Sequence, residues 1–145
     1  MELKILGRHT SYNVQKVLWL ADELLLDYEH TEMGGRFGGT ATAEFLAHNP
    51  LGKVPVLLVD NKPIVESNTI IRYLADQYAT NQWIATHPFE RTTVNRWLDW
   101  SIDALEPAFV QVFWGFYRQP PDQRDWANIN NGCENTLKCL DVLAS

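Results

Sequence analysis

The sequence is poor in cysteine and in long apolar runs. Its 145 residues include two cysteines, Cys133 and Cys139. These cysteines lie in a stretch with helical apolar spacing, where they would face different sides and could not bridge, which excludes a disulfide scaffold. No apolar run approaches the roughly 20 residues of a membrane span, and the first residues lack the long apolar core of a signal peptide. We expect a cytoplasmic protein with no membrane association.

Basic residues are also scarce. Lysine and arginine total 12 against 18 aspartates and glutamates, which gives a formal net charge of -6. Binding to nucleic acid phosphates needs a basic surface. We therefore expect no nucleic-acid partner, although one local anion site is compatible with an acidic total.

The composition is otherwise that of a folded globular protein. Hydrophobic residues make up 46%, aromatic residues 12% and charged residues 21% of the chain. Disordered and low-complexity chains have far fewer apolar residues. A chain of this length can bury a real core in one ordinary domain or in two small ones.

The first part of the chain predicts a strand, a helix and a second strand. Residues 3–6 alternate and end at Gly7, residues 14–25 carry apolar side chains at helical spacing, and residues 27–32 alternate again. Such a β-α-β unit places its two strands side by side and parallel. The glycine-rich residues 34–40 predict a flexible loop.

The next stretch predicts a hairpin followed by a helix. Residues 54–59 form a nearly continuous apolar run, and Asp60-Asn61 is a hairpin turn signal before a partner strand at 63–66. Ser67 is then expected to cap a helix that runs to Tyr78. The order β-α-β then β-β-α favours a thioredoxin-like α/β domain over residues 1–80.

Only helices are predicted in residues 86–145. Pro88 suits the first turn of a long helix with apolar residues at a 3.6 period, Pro107 should kink it, and Asp122 is expected to cap a last helix. The predicted fold class is therefore α/β plus all-α, with a thioredoxin-like domain at 1–80 and a helical domain at 86–145.

Three motifs in this order resemble the glutathione transferase family. They are LGRHTSYNVQKV at 6–17, NPLGKVPVL at 49–57 and ESNTIIRYL at 66–74. Together with the helical segment that follows, they look like the glutathione-binding half of a soluble transferase, and Ser11 and the 34–39 loop resemble the bacterial serine-type enzymes related to the theta class. The resemblance implies glutathione as co-substrate and an apolar electrophile as second substrate.

The Val54-Pro55 bond has two interpretations. Proline cannot donate to a strand ladder, so by itself it would indicate a trans bond in an edge strand. The resemblance instead implies a cis bond that turns the Val54 backbone outward, where its N–H and C=O pair with the cysteinyl backbone of glutathione.

The junction at Glu66-Ser67 is a candidate anion site. A helix N-terminus offers free N–H groups and a positive dipole end, which suit the γ-glutamyl carboxylate, while Glu66 can take the ligand's ammonium group. The alternative for Ser67 is a plain helix cap. Lys53 would meet the glycyl carboxylate or would be a solvated surface lysine.

Ser11 is the predicted catalytic residue because it aligns with the catalytic serine of the serine-type classes. A hydroxyl donor beside a helix N-terminus favours the thiolate form of glutathione, and the alternative is a simple cap. Thr10, Tyr12 and Asn13 lie close enough to compete for the role. We rank Asn13 as a second donor and Tyr12 as a wall of the electrophile pocket.

The helical segment supplies further candidates for that pocket. Its aromatic stripe would more often be core, and we expect Phe113, Trp114 and Tyr117 to include any members that face the electrophile. Residues 1–80 hold no cysteine, so a glutaredoxin-like reaction would lack its nucleophile. The four histidines show no ligand spacing, and we expect no metal site.

Two functions remain open at this point. Transferases of this family continue through further helices, so we expect a shortened helical domain whose exposed apolar residues pair in a homodimer. The first function is a transferase that uses Ser11. The second is a non-catalytic relative that binds glutathione or a protein partner.

Overall fold

Two compact units make up the chain, Met1–Thr86 and His87–Ser145. In this computed structural model the described residues are 1–79, 85 and 87–145. The predicted domain limits of 1–80 and 86–145 fall on the gap between the described ranges and stay a prediction. Each unit is described by itself below.

The first unit is a mixed sheet with helices on both faces. Its elements are β1 (Leu3–Leu6), α1 (Tyr12–Glu23), β2 (Glu29–Thr31), a 3₁₀ turn (Gly35–Phe37), α2 (Ala43–His48), β3 (Val56–Val59), β4 (Lys62–Val65) and α3 (Ser67–Tyr78). The strand order is β2-β1-β3-β4, with β1 parallel to β2 and antiparallel to β3, and with β4 antiparallel to β3. This is the thioredoxin-like α/β fold that the sequence predicted.

Both faces of β3 are buried, which explains its continuous apolar run. Successive strand residues point to opposite faces, so Leu57 and Val59 pack with α1 and α3 in one cluster. Val56 and Leu58 pack on the other face against Phe45 of α2. Burying a side chain such as Phe45 contributes about 1.5–3 kcal/mol.

Helix α2 was not predicted. It has six residues and one buried apolar side chain, Phe45, so the sequence shows no helical period there. Its start is fixed by Thr42, whose side chain accepts a hydrogen bond from the Phe45 N–H at 3.2 Å. The flexible loop predicted at 34–40 contains the short 3₁₀ turn Gly35–Phe37.

The predicted hairpin at Asp60-Asn61 is confirmed. It joins β3 to β4 in antiparallel register, and the two turn residues have φ values of 46° and 64°. Positive φ at both central residues is the requirement of a two-residue type I′ turn, and aspartate and asparagine tolerate it best after glycine.

The second unit is entirely helical over its described residues. Its elements are α4 (Pro88–Trp100), a π-helical segment (Ser101–Leu105), α5 (Glu106–Val112), a second π-helical segment (Phe113–Arg118), a 3₁₀ turn (Pro121–Gln123) and α6 (Trp126–Ala144). The first four follow one another without a break, as the predicted long helix requires. Pro107 is the second residue of α5, in its first turn, where a missing N–H is tolerated.

The predicted cap of the last helix was wrong. Asp122 lies in the 3₁₀ turn, and Asp125 caps α6 by accepting the Asn128 N–H at 3.0 Å. The two aspartates are three positions apart, and only Asp125 directly precedes the helix.

Cys133 and Cys139 both lie in α6 and are free thiols. Among the helices of the described ranges, none is both long enough and apolar enough to cross a membrane.

Candidate functional site

The sheet topology brings the three sequence motifs to one edge. Because β1 and β3 are antiparallel, the last residue of β1, Leu6, pairs with the first residue of β3, Val56. Val56 pairs in turn with Val65, the last residue of β4. The turn before α1, the Val54-Pro55 bond and the start of α3 therefore meet at this edge.

Ser11 occupies the N-cap position of α1. Its φ and ψ are -87° and 123°, its N–H donates to the Arg8 carbonyl at 3.0 Å, and its side chain makes no capping hydrogen bond. The half-buried hydroxyl thus sits at the positive end of a helix without being used as a cap.

The Val54-Pro55 peptide bond is cis, as the resemblance implied. Pro55 is buried and the β3 ladder begins only at Val56, so the Val54 N–H and C=O lie outside the ladder. Gly7 allows the close approach of β1 to this point. A Cβ atom on Gly7, whose φ is 153°, would lie 3.1 Å from the Val54 Cβ and 2.6 Å from a Val14 methyl.

The structure corrects the predicted cap of α3. Ser67 is the first residue of the helix, and the N-cap is Glu66, an exposed residue with φ 68° and ψ 116°. A non-glycine residue in the left-handed region costs about 1–3 kcal/mol and persists only where its surroundings hold it. The backbone is therefore strained at the position predicted to take an ammonium group.

Two hydrogen bonds tie the start of α1 to the start of α3. The Ser67 hydroxyl donates to Asn13 Oδ1 at 3.1 Å, and Lys16 Nζ donates to Asn68 Oδ1 at 2.9 Å. Ser67 and Asn68 are 5% and 2% exposed, so both bonds lie in a poorly solvated place. They fix the spacing between the two helix N-termini.

Sequence reasoning missed the roles of Lys16 and Asn68. The available signals were a polar Asn68 in the first turn of a helix with an apolar face, and a lysine three positions after Asn13 on the same face of α1. The observed contact of Asn13 is made by its carbonyl oxygen toward Ser67. Its predicted role as a second donor to the ligand stays a prediction.

Lys53 is exposed on a loop that a buried asparagine holds. Asn49, 3% exposed, donates through Nδ2 to the Lys53 carbonyl at 2.8 Å and accepts the Leu51 N–H at 3.1 Å. The loop backbone is thereby fixed while the lysine side chain stays in solvent. Asn49 was not singled out by the sequence, because a residue before proline reads as a simple turn.

A histidine and a glutamate are paired beside Ser11. Glu32 follows β2, and its carboxylate accepts a hydrogen bond from His9 Nδ1 and another from the His9 backbone N–H at 3.1 Å. Burial opposes ionisation of Glu32, but the two hydrogen bonds from His9 outweigh that effect. The pKa of Glu32 lies below its ordinary value.

The predicted electrophile contacts are distributed over both units. In the first unit Tyr12 is 37% exposed, with Lys16 Nζ 5.0 Å from its ring centre. In the second unit Phe113 stacks on Tyr117, with ring centres 5.7 Å apart. Trp114 lines an open cavity of about 410 Å³ together with Val110, Gly115 and five polar residues, and neither Phe113 nor Tyr117 lines it.

Within the described ranges, no group of three or more histidine, cysteine, aspartate or glutamate side chains is placed to hold a metal ion. The predicted absence of a metal site stays a prediction.

Comparison with known proteins links the first unit to one family. A family model for the glutathione S-transferase N-terminal domain matches residues 1–76. The chain is 41% identical over 130 residues to glutathione S-transferase GstB of Escherichia coli strain K12, an alignment that covers 88% of this chain and 62% of the relative.

Solved structures show the same similarity. The theta class glutathione S-transferase from the citrus canker pathogen Xanthomonas axonopodis pv. citri, with glutathione bound, matches with a TM-score of 0.90 and 40% identity, over 95% of this chain and 66% of that one. The glutathione transferase URE2P6 from Phanerochaete chrysosporium, in complex with oxidized glutathione, matches with a TM-score of 0.88 and 26% identity, over 98% of this chain and 66% of that one. The chain thus spans just under two thirds of the length of these relatives.

The strain at Glu66 predicts an unusual response to substitution. Replacing Glu66 by glycine removes the Cβ atom that makes positive φ costly, so the free energy of unfolding should rise by about 1 kcal/mol. Glu66→Ala is the matched control, because it removes the carboxylate but keeps the Cβ atom and should bring no such gain. Denaturant unfolding measures both. If the Glu66→Gly protein is less stable than the Glu66→Ala protein, the inference that the Glu66 backbone is strained is wrong.

Proposed function

Because the chain belongs to the glutathione S-transferase family, we propose that it binds glutathione at the sheet edge and transfers the glutathione sulfur to an apolar electrophile. The observation that carries this proposal is the convergence of Ser11, Val54 and the Glu66-Ser67 junction at that edge. The glutathione in the Xanthomonas structure, whose protein is 40% identical to this chain, supports the choice of ligand.

The γ-glutamyl end of glutathione is assigned to the start of α3. Its carboxylate would accept hydrogen bonds from N–H groups of the first helical turn, which the helix dipole assists, and from the Ser67 hydroxyl once its single hydrogen turns from Asn13 Oδ1 to the ligand. Its ammonium group would pair with the Glu66 carboxylate. Binding would therefore exchange the Asn13 Oδ1 acceptor of the Ser67 hydroxyl for a ligand oxygen.

The cysteinyl and glycyl residues of glutathione are assigned to the two residues that precede Pro55 and β3. The Val54 N–H and C=O lie outside the ladder, and an extended cysteinyl residue can pair with them as an added strand does. The glycyl carboxylate would then meet Lys53, which the loop holds in solvent.

Ser11 is assigned to the sulfur. A thiol with a pKa of about 8.5 is mostly protonated at neutral pH, and lowering that value by about two pH units takes roughly 2.7 kcal/mol of preferential stabilisation of the thiolate. The Ser11 hydroxyl can donate to the sulfur because it is not used as a helix cap. Asn13 is the proposed second donor.

Catalysis would then depend on position and charge rather than on a covalent intermediate with the protein. The thiolate attacks the electrophile, the new S–C bond forms, and the leaving group departs with its electron pair. We keep Tyr12, Phe113, Trp114 and Tyr117 as proposed contacts of the electrophile. A cytoplasmic location is part of the same proposal.

We also propose a homodimer. Helix α6 exposes large apolar side chains, among them Trp126 at 52%, Leu137 at 60% and Leu140 at 46%, and an apolar surface of this kind is typical of an interface. Analytical ultracentrifugation over a range of protein concentrations should give the mass of a dimer. A monomer mass at every concentration would contradict the proposal.

Replacing Ser11 by alanine should lower turnover with little effect on glutathione affinity, because its contact with sulfur strengthens when the thiol ionises. The expected loss at pH 7 is about 25-fold, because the thiolate fraction falls from about three quarters at a pKa of about 6.5 to about 3% at a pKa of about 8.5. It should shrink as the pH rises past the thiol pKa, since the thiolate then forms without help. Conjugation rates as a function of pH, together with calorimetric affinities, measure this.

Ser67→Ala is the contrasting variant. It removes a hydrogen-bond donor to the ligand carboxylate, so affinity should fall by about fivefold while the pH profile keeps its shape. Each variant must be shown to be folded first.

An unchanged pH profile in Ser11→Ala would move the thiolate role to Asn13 or Tyr12. Glutathione binding without any turnover in the unmodified protein would favour the non-catalytic alternative.

A further inference from the structure

The pair formed by His9 and Glu32 has no part in the assignments above. Both hydrogen bonds of the pair go to one carboxylate, from the His9 ring and from the His9 backbone N–H. The Glu32 carboxylate therefore holds both the backbone of His9 and the orientation of its imidazole ring. The His9 side chain is 54% exposed, so the ring is held firmly and still reaches solvent.

His9 and Ser11 belong to the same tight turn. The Ser11 N–H donates to the Arg8 carbonyl at 3.0 Å, which closes a four-residue turn with His9 as its second member and Ser11 as its last. Glu32 reaches this turn from the end of β2, so it sets the position of the turn that carries Ser11.

The turn also borders the Val54 side of the sheet edge. A Cβ atom built on Gly34 would lie 3.3 Å from Arg8 Nη1 and 3.6 Å from a Val54 methyl. The Arg8 side chain, the 34–35 backbone and Val54 are thus neighbours. The His9 ring is in edge contact with Phe37, with ring centres 6.5 Å apart, and the Phe37 N–H donates to the Gly34 carbonyl at 3.2 Å.

The pairing decides which ring nitrogen can accept a proton. An ionised carboxylate only accepts hydrogen bonds, so Nδ1 of His9 carries a hydrogen toward Glu32. In the neutral ring the other nitrogen, Nε2, then has the free lone pair. A carboxylate on Nδ1 stabilises the imidazolium that forms when Nε2 is protonated.

Resting on the proposed function, we propose that His9 Nε2 takes the thiol proton of bound glutathione, directly or through one water molecule, with Glu32 as its positioning residue. The S–H bond breaks, its electron pair stays on sulfur, and the proton forms an N–H bond on the imidazole. The reactive state is then a thiolate and imidazolium pair, in which Ser11 donates to the sulfur. After the sulfur has attacked, the imidazolium returns its proton to solvent or to the leaving group.

Several charged or titratable groups lie near the ring. Glu32 is an anion that accepts a hydrogen bond from His9 Nδ1. His30, whose Nε2 contacts the Gly7 carbonyl at 2.7 Å, interacts electrostatically with the same carboxylate. Arg8 in the same turn and Arg36, which lies over the Phe37 ring at 4.8 Å, are cations. Of these groups, Glu32 makes the direct bond to the ring.

The test is a pH titration of the thiolate absorbance of glutathione bound to the full chain, combined with kcat/KM for conjugation. His9→Gln keeps a donor toward Glu32 but has no nitrogen that takes up a proton. We expect the midpoint of the thiolate titration to rise by about one pH unit. At lower pH kcat/KM should then fall by about tenfold, with unchanged glutathione affinity. Added imidazole should restore part of the rate of His9→Ala, which a purely structural role would not allow.

Two further variants sharpen the comparison. Glu32→Gln retains one acceptor without the charge and should raise the midpoint by less than His9→Gln does. His48→Gln removes a histidine of α2 in the same unit and should match the unmodified protein. If His9→Gln has the original midpoint while Ser11→Ala raises it, this inference is overturned and the proposed function stands. If the unmodified protein binds no glutathione, the proposed function itself fails.

Discussion

The antiparallel pairing of β1 with β3 is the constraint on which the rest of the structure depends. It sets the end of one strand beside the start of the other, with Leu6 opposite Val56. A parallel arrangement would have sent the Val54-Pro55 bond to the opposite edge, far from Ser11. Because Leu57 and Val59 are buried on one face and Val56 and Leu58 on the other, a slip of the register by one residue would exchange the side chains of the two faces and disrupt the packing of both clusters.

Above this sheet, buried amides and hydroxyls do the fine positioning. Asn68 and Asn49 are almost fully buried, and their hydrogen bonds fix, respectively, the distance between two helix N-termini and the path of the Lys53 loop. Glu66 is held in a costly backbone conformation at the end of the same network. This edge therefore holds its donors and acceptors in fixed positions at some cost in stability, as the proposed binding of a zwitterionic ligand requires.

Much of the fold was accessible from the sequence because its apolar patterns are strong. The alternation in β1, the helical period of α1 and α3 and the Asp60-Asn61 turn each have a local cause. Helix α2 has a single buried side chain, so its sequence shows no helical spacing of apolar residues. Of the site, the motif residues were named, but the bonds of Lys16, Asn68 and Glu32 join residues far apart in the chain, and only the folded sheet edge brings them together. The cap of α3 was misplaced because a strained Glu66 contradicts local propensity.

The proposed function depends on glutathione binding at this edge. A calorimetric titration of the folded 145-residue chain with glutathione, and in parallel with its S-hexyl derivative, is the most direct test. Binding in the micromolar to low-millimolar range, tightened by the alkyl chain, is the predicted result, since it reports a peptide site with an adjoining apolar surface. A folded protein that gives no heat with either ligand would contradict the account.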